Sequence, residues 1–113
     1  MQPEDRTRIG HMLDATRSIA RFIAGRQRDD LDADEMLRFA LIRAIEIIGE
    51  AASKVSPEAR QAVPGVPWRE AIGMRNRLVH AYFDVDLDVL WKTTQEAVPA
   101  LMKHLESLDL QGN

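Results

Sequence analysis

Leu37-Arg38-Phe39-Ala40-Leu41-Ile42-Arg43-Ala44-Ile45-Glu46-Ile47-Ile48-Gly49-Glu50-Ala51-Ala52-Ser53-Lys54-Val55 is the stretch that decides the fold. Leu37, Ala40, Leu41, Ala44, Ile45, Ile48, Ala51, Ala52 and Val55 recur at intervals of three and four, which places them on one face of an α-helix. The face is unusually wide, and its alanines together with Gly49 permit close approach by a second helix. The spacing predicts a helix over residues 33–55. Asp32, with Glu35 three residues later, has the pattern of a capping box, and acidic side chains favour a helix N-terminus.

The same periodicity runs outward in both directions. Upstream, Ile9, Met12, Leu13, Thr16, Ile19, Ala20 and Ile23 form one stripe of a helix over residues 4–24, which Gly25 can end. Downstream, Ser56-Pro57-Glu58 supplies a cap, a first-turn proline and an acid, which predicts a short helical turn over residues 57–62. Val63-Pro64-Gly65-Val66-Pro67 reads as a stiff connector. A third helix is expected from Trp68 to Phe83, carrying Ile72, Leu78 and Val79 inward. Asp84 or Asp86 then caps a fourth, striped by Leu87, Leu90, Trp91, Thr94, Val98, Leu101, Leu105 and Leu108. Pro99 lacks a backbone donor and should kink that helix near Gln95. No useful segment alternates like a half-buried strand. The expectation is an all-α, antiparallel four-helix bundle, with a short extra helical turn between helices 2 and 3, forming one domain over residues 1–113.

A chain of 113 residues and 12.8 kDa suffices for one core without staples. Its content of 45% hydrophobic and 29% charged residues excludes a disordered protein. The absence of Cys excludes disulfides, thiolate zinc sites and a Cys nucleophile. No apolar run approaches the roughly 20 residues that span a bilayer. The opening residues Met1 to Arg6 are too polar and acidic for a secretory signal, so a cytoplasmic address is expected. The net charge of −3 excludes a duplex-coating basic protein. That charge is unevenly spread, because residues 1–28 carry six Arg against three acids while residues 29–35 carry five acids and no base. A local Arg cluster can still hold one or two phosphates. Twelve of the fifteen basic residues are Arg, which suits phosphate forks but also follows from genome composition alone.

The densest functional group is Arg75-Asn76-Arg77-Leu78-Val79-His80-Ala81-Tyr82. A His near neutral pKa can take a proton from a hydroxyl and return one to a leaving oxygen. An Arg can stabilise charge on a phosphoryl group, and Asn76 can orient the imidazole. Those parts suffice for metal-independent RNA cleavage, in which a 2′-hydroxyl attacks the adjacent phosphate. On a straight helix, Asn76 and Arg77 share the face of His80. Arg75 lies roughly 140° away and shares a face with Tyr82. Arg75 and His80 therefore meet only if Arg75 wraps round the helix, the helix is distorted, or a dimer interface completes the pair.

Arg75, four intervening residues, His80, one residue and Tyr82 resemble the R-x4-H-x-Y signature of HepT-like toxins, a branch of the HEPN ribonuclease superfamily. The resemblance extends through Val66-Pro67-Trp68-Arg69, Met74 to Asp84, Leu90-Trp91 and Val98-Pro99-Ala100-Leu101, and includes Ile48 to Ala52. It implies a homodimer of helical bundles whose two signatures meet at a cleft and act as a metal-independent endoribonuclease on RNA such as tRNA or mRNA. His80 would be the acid/base, Arg75 the phosphate-binding residue, Asn76 and Arg77 polar support and RNA contacts. It also implies a type VII-like toxin–antitoxin pair. There, an MntA-type nucleotidyltransferase, using ATP and magnesium, attaches AMP to Tyr82. RNA cleavage itself would need no cofactor.

Plainer readings stand beside these. His80 can be a buried or helix-terminal His satisfied by backbone, and Tyr82 an amphipathic residue closing the bundle end. Arg77 reads first as a solvated helix residue, with an RNA contact as its second reading, and Arg69 has the same standing with less support. His11 and His104 have no metal-ligand spacing to each other or to His80, so no metal site is expected. Glu46 and Glu50 form an i, i+4 carboxylate pair, but Glu46 also faces Arg43, and a solvated face accounts for both. A silent dimeric adaptor that holds the nucleotidyltransferase, or a purely structural bundle, remains the alternative to an enzyme.

Overall fold

The computed structural model describes residues 1–81 and 84–108, with the backbone alone for His80 and Ala81. The first helix, α1 (Pro3–Ile23), opens with Pro3 and the acids Glu4 and Asp5 in its first turn. Proline suits that place because its missing N–H would be unpaired there anyway. The helix ends at Ala24–Gly25, where Gly25 takes φ 73°. That left-handed conformation is cheap only without a Cβ.

The expected capping by Asp32 is not what forms. Asp30–Ala33 make a separate turn, α2, which buries Leu31 completely. Asp34 then turns extended and its side chain accepts from the Leu37 N–H at 3.0 Å, starting α3 (Glu35–Ser53) two residues later than the cap at Asp32 would. The acidic charge of this linker is partly neutralised by Arg28, whose guanidinium reaches Asp32 at 2.8 Å and Asp88 at 2.7 Å. Those carboxylates hold Arg28 more firmly protonated than an isolated guanidinium.

Ser56 caps α4 (Pro57–Ala62) through the Ala59 N–H, on the residues the sequence predicts. Asp5 of α1 receives both the Ser56 N–H at 2.8 Å and its hydroxyl at 2.7 Å, tying the start of the chain to this corner. These donors hold the Asp5 carboxyl below its ordinary value.

The third long helix, α5 (Trp68–Leu78), stops five residues short of the expected Phe83. The chain then runs extended as β1 (Val79–Ala81), pairs antiparallel with β2 (Asp84–Val85), and enters α6 (Leu87–Gln95). The Leu78 carbonyl, which a continuing helix would offer to the residue four further on, instead accepts from the Asp86 N–H at 2.8 Å. Asp86 also caps α6 by accepting from the Val89 N–H at 3.0 Å. Val79 and Val85, paired across this small ladder, both pack on the core.

The fourth stripe is split, as Pro99 requires. Glu96, at φ −121° and ψ −66°, separates α6 from α7 (Ala97–Glu106). Pro99 has no N–H for the Gln95 carbonyl, so the helix breaks there rather than bending smoothly.

These helices form an all-α bundle in which α1 lies between α3 and α7, and α3 between α1 and α5. Ile9, Met12, Ile19, Leu41, Ile45, Ile48, Leu78, Leu90 and Leu105 are fully buried at its centre. Among the described residues, no helix is long and apolar enough to cross a membrane.

Candidate functional site

The site is placed by one close helix crossing. At Gly49 of α3, an added Cβ would meet the Ile72 carbonyl oxygen of α5 at 3.1 Å and that of Ala71 at 3.5 Å. Glycine is therefore what lets the two backbones come together. One turn from this crossing, the Arg75 Nε of α5 stands 3.4 Å from the Glu46 Oε2 of α3. Arg75 is exposed and Glu46 half-buried, with side-chain exposures of 44% and 31%. Arg75 and Asn76 line a cavity of about 390 Å³ together with Glu46, Gly49, Glu50, Ser53 and Ile72.

Arg77 points elsewhere. Its guanidinium donates to the Glu70 carbonyl at 3.0 Å, and it lines a second cavity of about 280 Å³ with Val89, Lys92, Thr93, Glu96 and Ala97. Successive helix residues diverge by about 100°, which separates Arg77 from the Arg75–Asn76 cavity.

The expectation that Asn76 and Arg77 share a helical face with His80 is corrected here. The helix ends at Leu78, so helical geometry does not relate either residue to His80. The chain leaves the regular helix before His80, so the straight-helix angle between Arg75 and His80 no longer applies. Val79 pairs with Val85 and Ala81 with Asp84, so His80 is the extra backbone residue of a β-bulge. Bulges re-aim the chain and are over-represented beside active sites. Tyr82 lies outside the described residues.

Sequence reasoning misplaces one residue of the site. Glu46 does not pair with Arg43, because Arg43 reaches Glu50 at 3.3 Å instead, and Glu46 faces Arg75. The usable signal is Gly49: a glycine on the wide apolar face marks where α5 crosses, and Glu46 lies one turn away. Among the described residues, no group of three His, Cys, Asp or Glu is arranged to hold a metal ion.

The bundle thus places Arg75 in the last turn of a helix, five residues before His80 in a bulged strand. The family model described as ribonuclease HepT-like matches residues 12–108. The chain belongs to the ribonuclease HepT-like family, and its enzyme class is that of a ribonuclease. It is 46% identical over 80 residues to "Probable ribonuclease HepT" of Thermococcus cleftensis, covering 71% of this chain and 73% of that one. It is 38% identical over 95 residues to "Putative RNase MJ1380" of Methanocaldococcus jannaschii, covering 84% and 87%. A third relative, "Putative RNase TTE0752" of Caldanaerobacter subterraneus subsp. tengcongensis, is 33% identical over 100 residues, covering 88% and 89%. No solved structure gives a significant match.

Proposed function

We propose that this chain is a metal-independent endoribonuclease and the toxin of a two-gene toxin–antitoxin pair. The observation that carries the reading is the family match across residues 12–108, which spans an exposed Arg75 and the bulged strand at His80. In the proposed reaction His80 takes the proton from an RNA 2′-hydroxyl, whose oxygen attacks the neighbouring phosphorus. The P–O5′ bond breaks, a proton returns to the 5′-oxygen, and a cyclic phosphate remains. Arg75 binds the phosphate and stabilises the charge that grows on its oxygens. Asn76 and Arg77 give polar support on the two sides of α5. Arg side chains hold backbone phosphates but read no bases, so exposed single strands in a tRNA or mRNA are the expected targets.

The working unit in this reading is a cytoplasmic homodimer. Met36 at 82% and Phe39 at 64% exposure are large apolar side chains on α3 that a second copy could cover. Silencing would come from a nucleotidyltransferase partner that uses ATP and magnesium to place AMP on Tyr82. The added negative charge and bulk would repel and occlude an incoming RNA phosphate.

The test is cleavage of defined RNAs in EDTA by the unmodified protein, with His80→Ala and Arg75→Ala of matched stability. Wild type should leave cyclic-phosphate ends. His80→Ala should lose about 10²–10⁴-fold in rate, and Arg75→Ala about 10²–10³-fold. Equal cleavage by all three would place the chemistry elsewhere. A second reading, a silent adaptor for the nucleotidyltransferase, is favoured by Arg75 already having a carboxylate partner. It predicts AMP transfer to Tyr82 with no cleavage by the mass-verified wild type.

A further inference from the structure

The phosphate-binding guanidinium of the proposed reaction is not held by its own helix. Arg75 is an exposed residue in the last turn of α5. A long side chain in such a place ordinarily samples many rotamers. Glu46 approaches it from a different helix, and the approach is fixed by backbone rather than by side-chain packing. The α3–α5 crossing at Gly49 leaves an added Cβ only 3.1 Å from the Ile72 oxygen. Glu46 precedes Gly49 by three residues and Arg75 follows Ile72 by three, so both lie toward the same end of this crossing.

We propose that Glu46 is the positioning residue of Arg75, a role that rests on the ribonuclease reading above. The carboxylate stands 3.4 Å from Nε, the nitrogen nearest the side-chain stem. A guanidinium can fork an anion through its two terminal nitrogens as well as through Nε. Contact on the Nε side leaves the Nη1–Nη2 edge available to fork a phosphate. Glu50 lines the same cavity but is turned to Arg43 at 3.3 Å, so Glu46 is the acid that orients Arg75.

The arrangement has two opposed consequences. Orientation of Arg75 raises the rate of the bound complex, because a misplaced catalytic group costs far more than its distance suggests. The negative charge of Glu46 beside an RNA phosphate weakens binding. Glu46 should therefore favour kcat at the expense of KM.

The experiment measures kcat and KM for one defined RNA in EDTA with wild type, Glu46→Ala and Glu46→Gln, each shown to be folded. It is paired with the NMR order parameter of the Arg75 Nε–H group in the same three proteins without RNA. Glu46→Ala should lose about 100-fold in kcat and leave the Arg75 Nε mobile. Glu46→Gln keeps an oxygen facing Nε without the charge. It should retain kcat to within a few-fold, keep Nε ordered, and lower KM about threefold at low salt. Wild-type kcat in Glu46→Ala, or a Glu46→Gln as slow as Glu46→Ala, would overturn the proposal. If wild type cuts no RNA, the ribonuclease reading falls. The order parameter then decides on its own, and an equally ordered Arg75 in Glu46→Ala removes the positioning role as well.

Discussion

The α1–α3 pair and the α5–β1–β2 segment are built by opposite rules. Along α1 and α3, Ile9, Met12, Ile19, Leu41, Ile45 and Ile48 have no exposed surface, and polar residues keep mostly to the outer faces. Along the end of α5, Arg75, Asn76 and Arg77 are consecutive exposed polar residues, followed at once by the fully buried Leu78 and a change of direction. The first region gains its order from apolar burial. The second borrows it: Arg75 is held by Glu46, Leu78 by the core, and the strand ladder by the partly buried valines 79 and 85. The lesson is a division of labour, in which the helix with the widest apolar face also carries the acid that orders the exposed Arg.

The largest effect should come from the first region. Ile45→Ala deletes a fully buried side chain of α3, and such deletions cost about 2–5 kcal/mol. In urea titrations the midpoint should fall with an unchanged slope. Ribonuclease activity per folded molecule should change little, since Ile45 does not line the Arg75 cavity. A large loss of activity in the fully folded variant would break the division drawn here.

Gly49→Val should break it from the other side. The β-branched side chain must enter a gap where a Cβ already meets backbone oxygen at 3.1 Å. Overpacking of this kind costs about 1–3 kcal/mol. Here the stability loss is smaller than at Ile45, but the α3–α5 spacing that joins Glu46 to Arg75 shifts. Activity per folded molecule should therefore fall more than for Ile45→Ala. Cleavage rates normalised to the folded fraction would show the reversal, and a ranking that follows stability alone would refute it.

The same contrast explains what could be read in advance. Helices α1, α3 and α4 follow from periodicity, Pro at the first turn and the Ser56 cap, because each signal is local and agrees with burial. The break at Glu96 follows from Pro99 by the loss of one donor. The end of α5 does not follow, because Leu78 and Val79 fit a helical stripe as well as a turn into a strand. The choice is made by a bond across eight residues, from the Asp86 N–H to the Leu78 carbonyl. Asp34 outcompetes Asp32 as the α3 cap because burial of Leu31 commits residues 30–33 to their own turn. Arg75 and Asn76 were recognisable from residue chemistry and from resemblance. Glu46 was not, since Arg43 lies one turn away on its own helix and only the crossing at Gly49 brings Arg75 to it.

The smallest effect sharpens the boundary of the supporting region. Asp5 is only 5% exposed and accepts the Ser56 N–H and hydroxyl, which lower its pKa from the ordinary 3.8. A carboxyl with a lowered pKa in the folded state stabilises fully above its unfolded value. That contribution fades as pH falls below about 4, because the unfolded chain then binds the proton first. Urea midpoints measured from pH 6 down to pH 3 should drop more steeply for wild type than for Asp5→Asn. Asp34, whose pKa is lowered chiefly by the Leu37 N–H, titrates in both proteins, so the difference between the curves isolates Asp5. Parallel curves would mean the Ser56 contacts persist in the unfolded chain or do not form. At neutral pH, Asp5→Asn should leave RNA cleavage per folded molecule unchanged, because the tether joins α1 to α4 and reaches neither Glu46 nor Arg75.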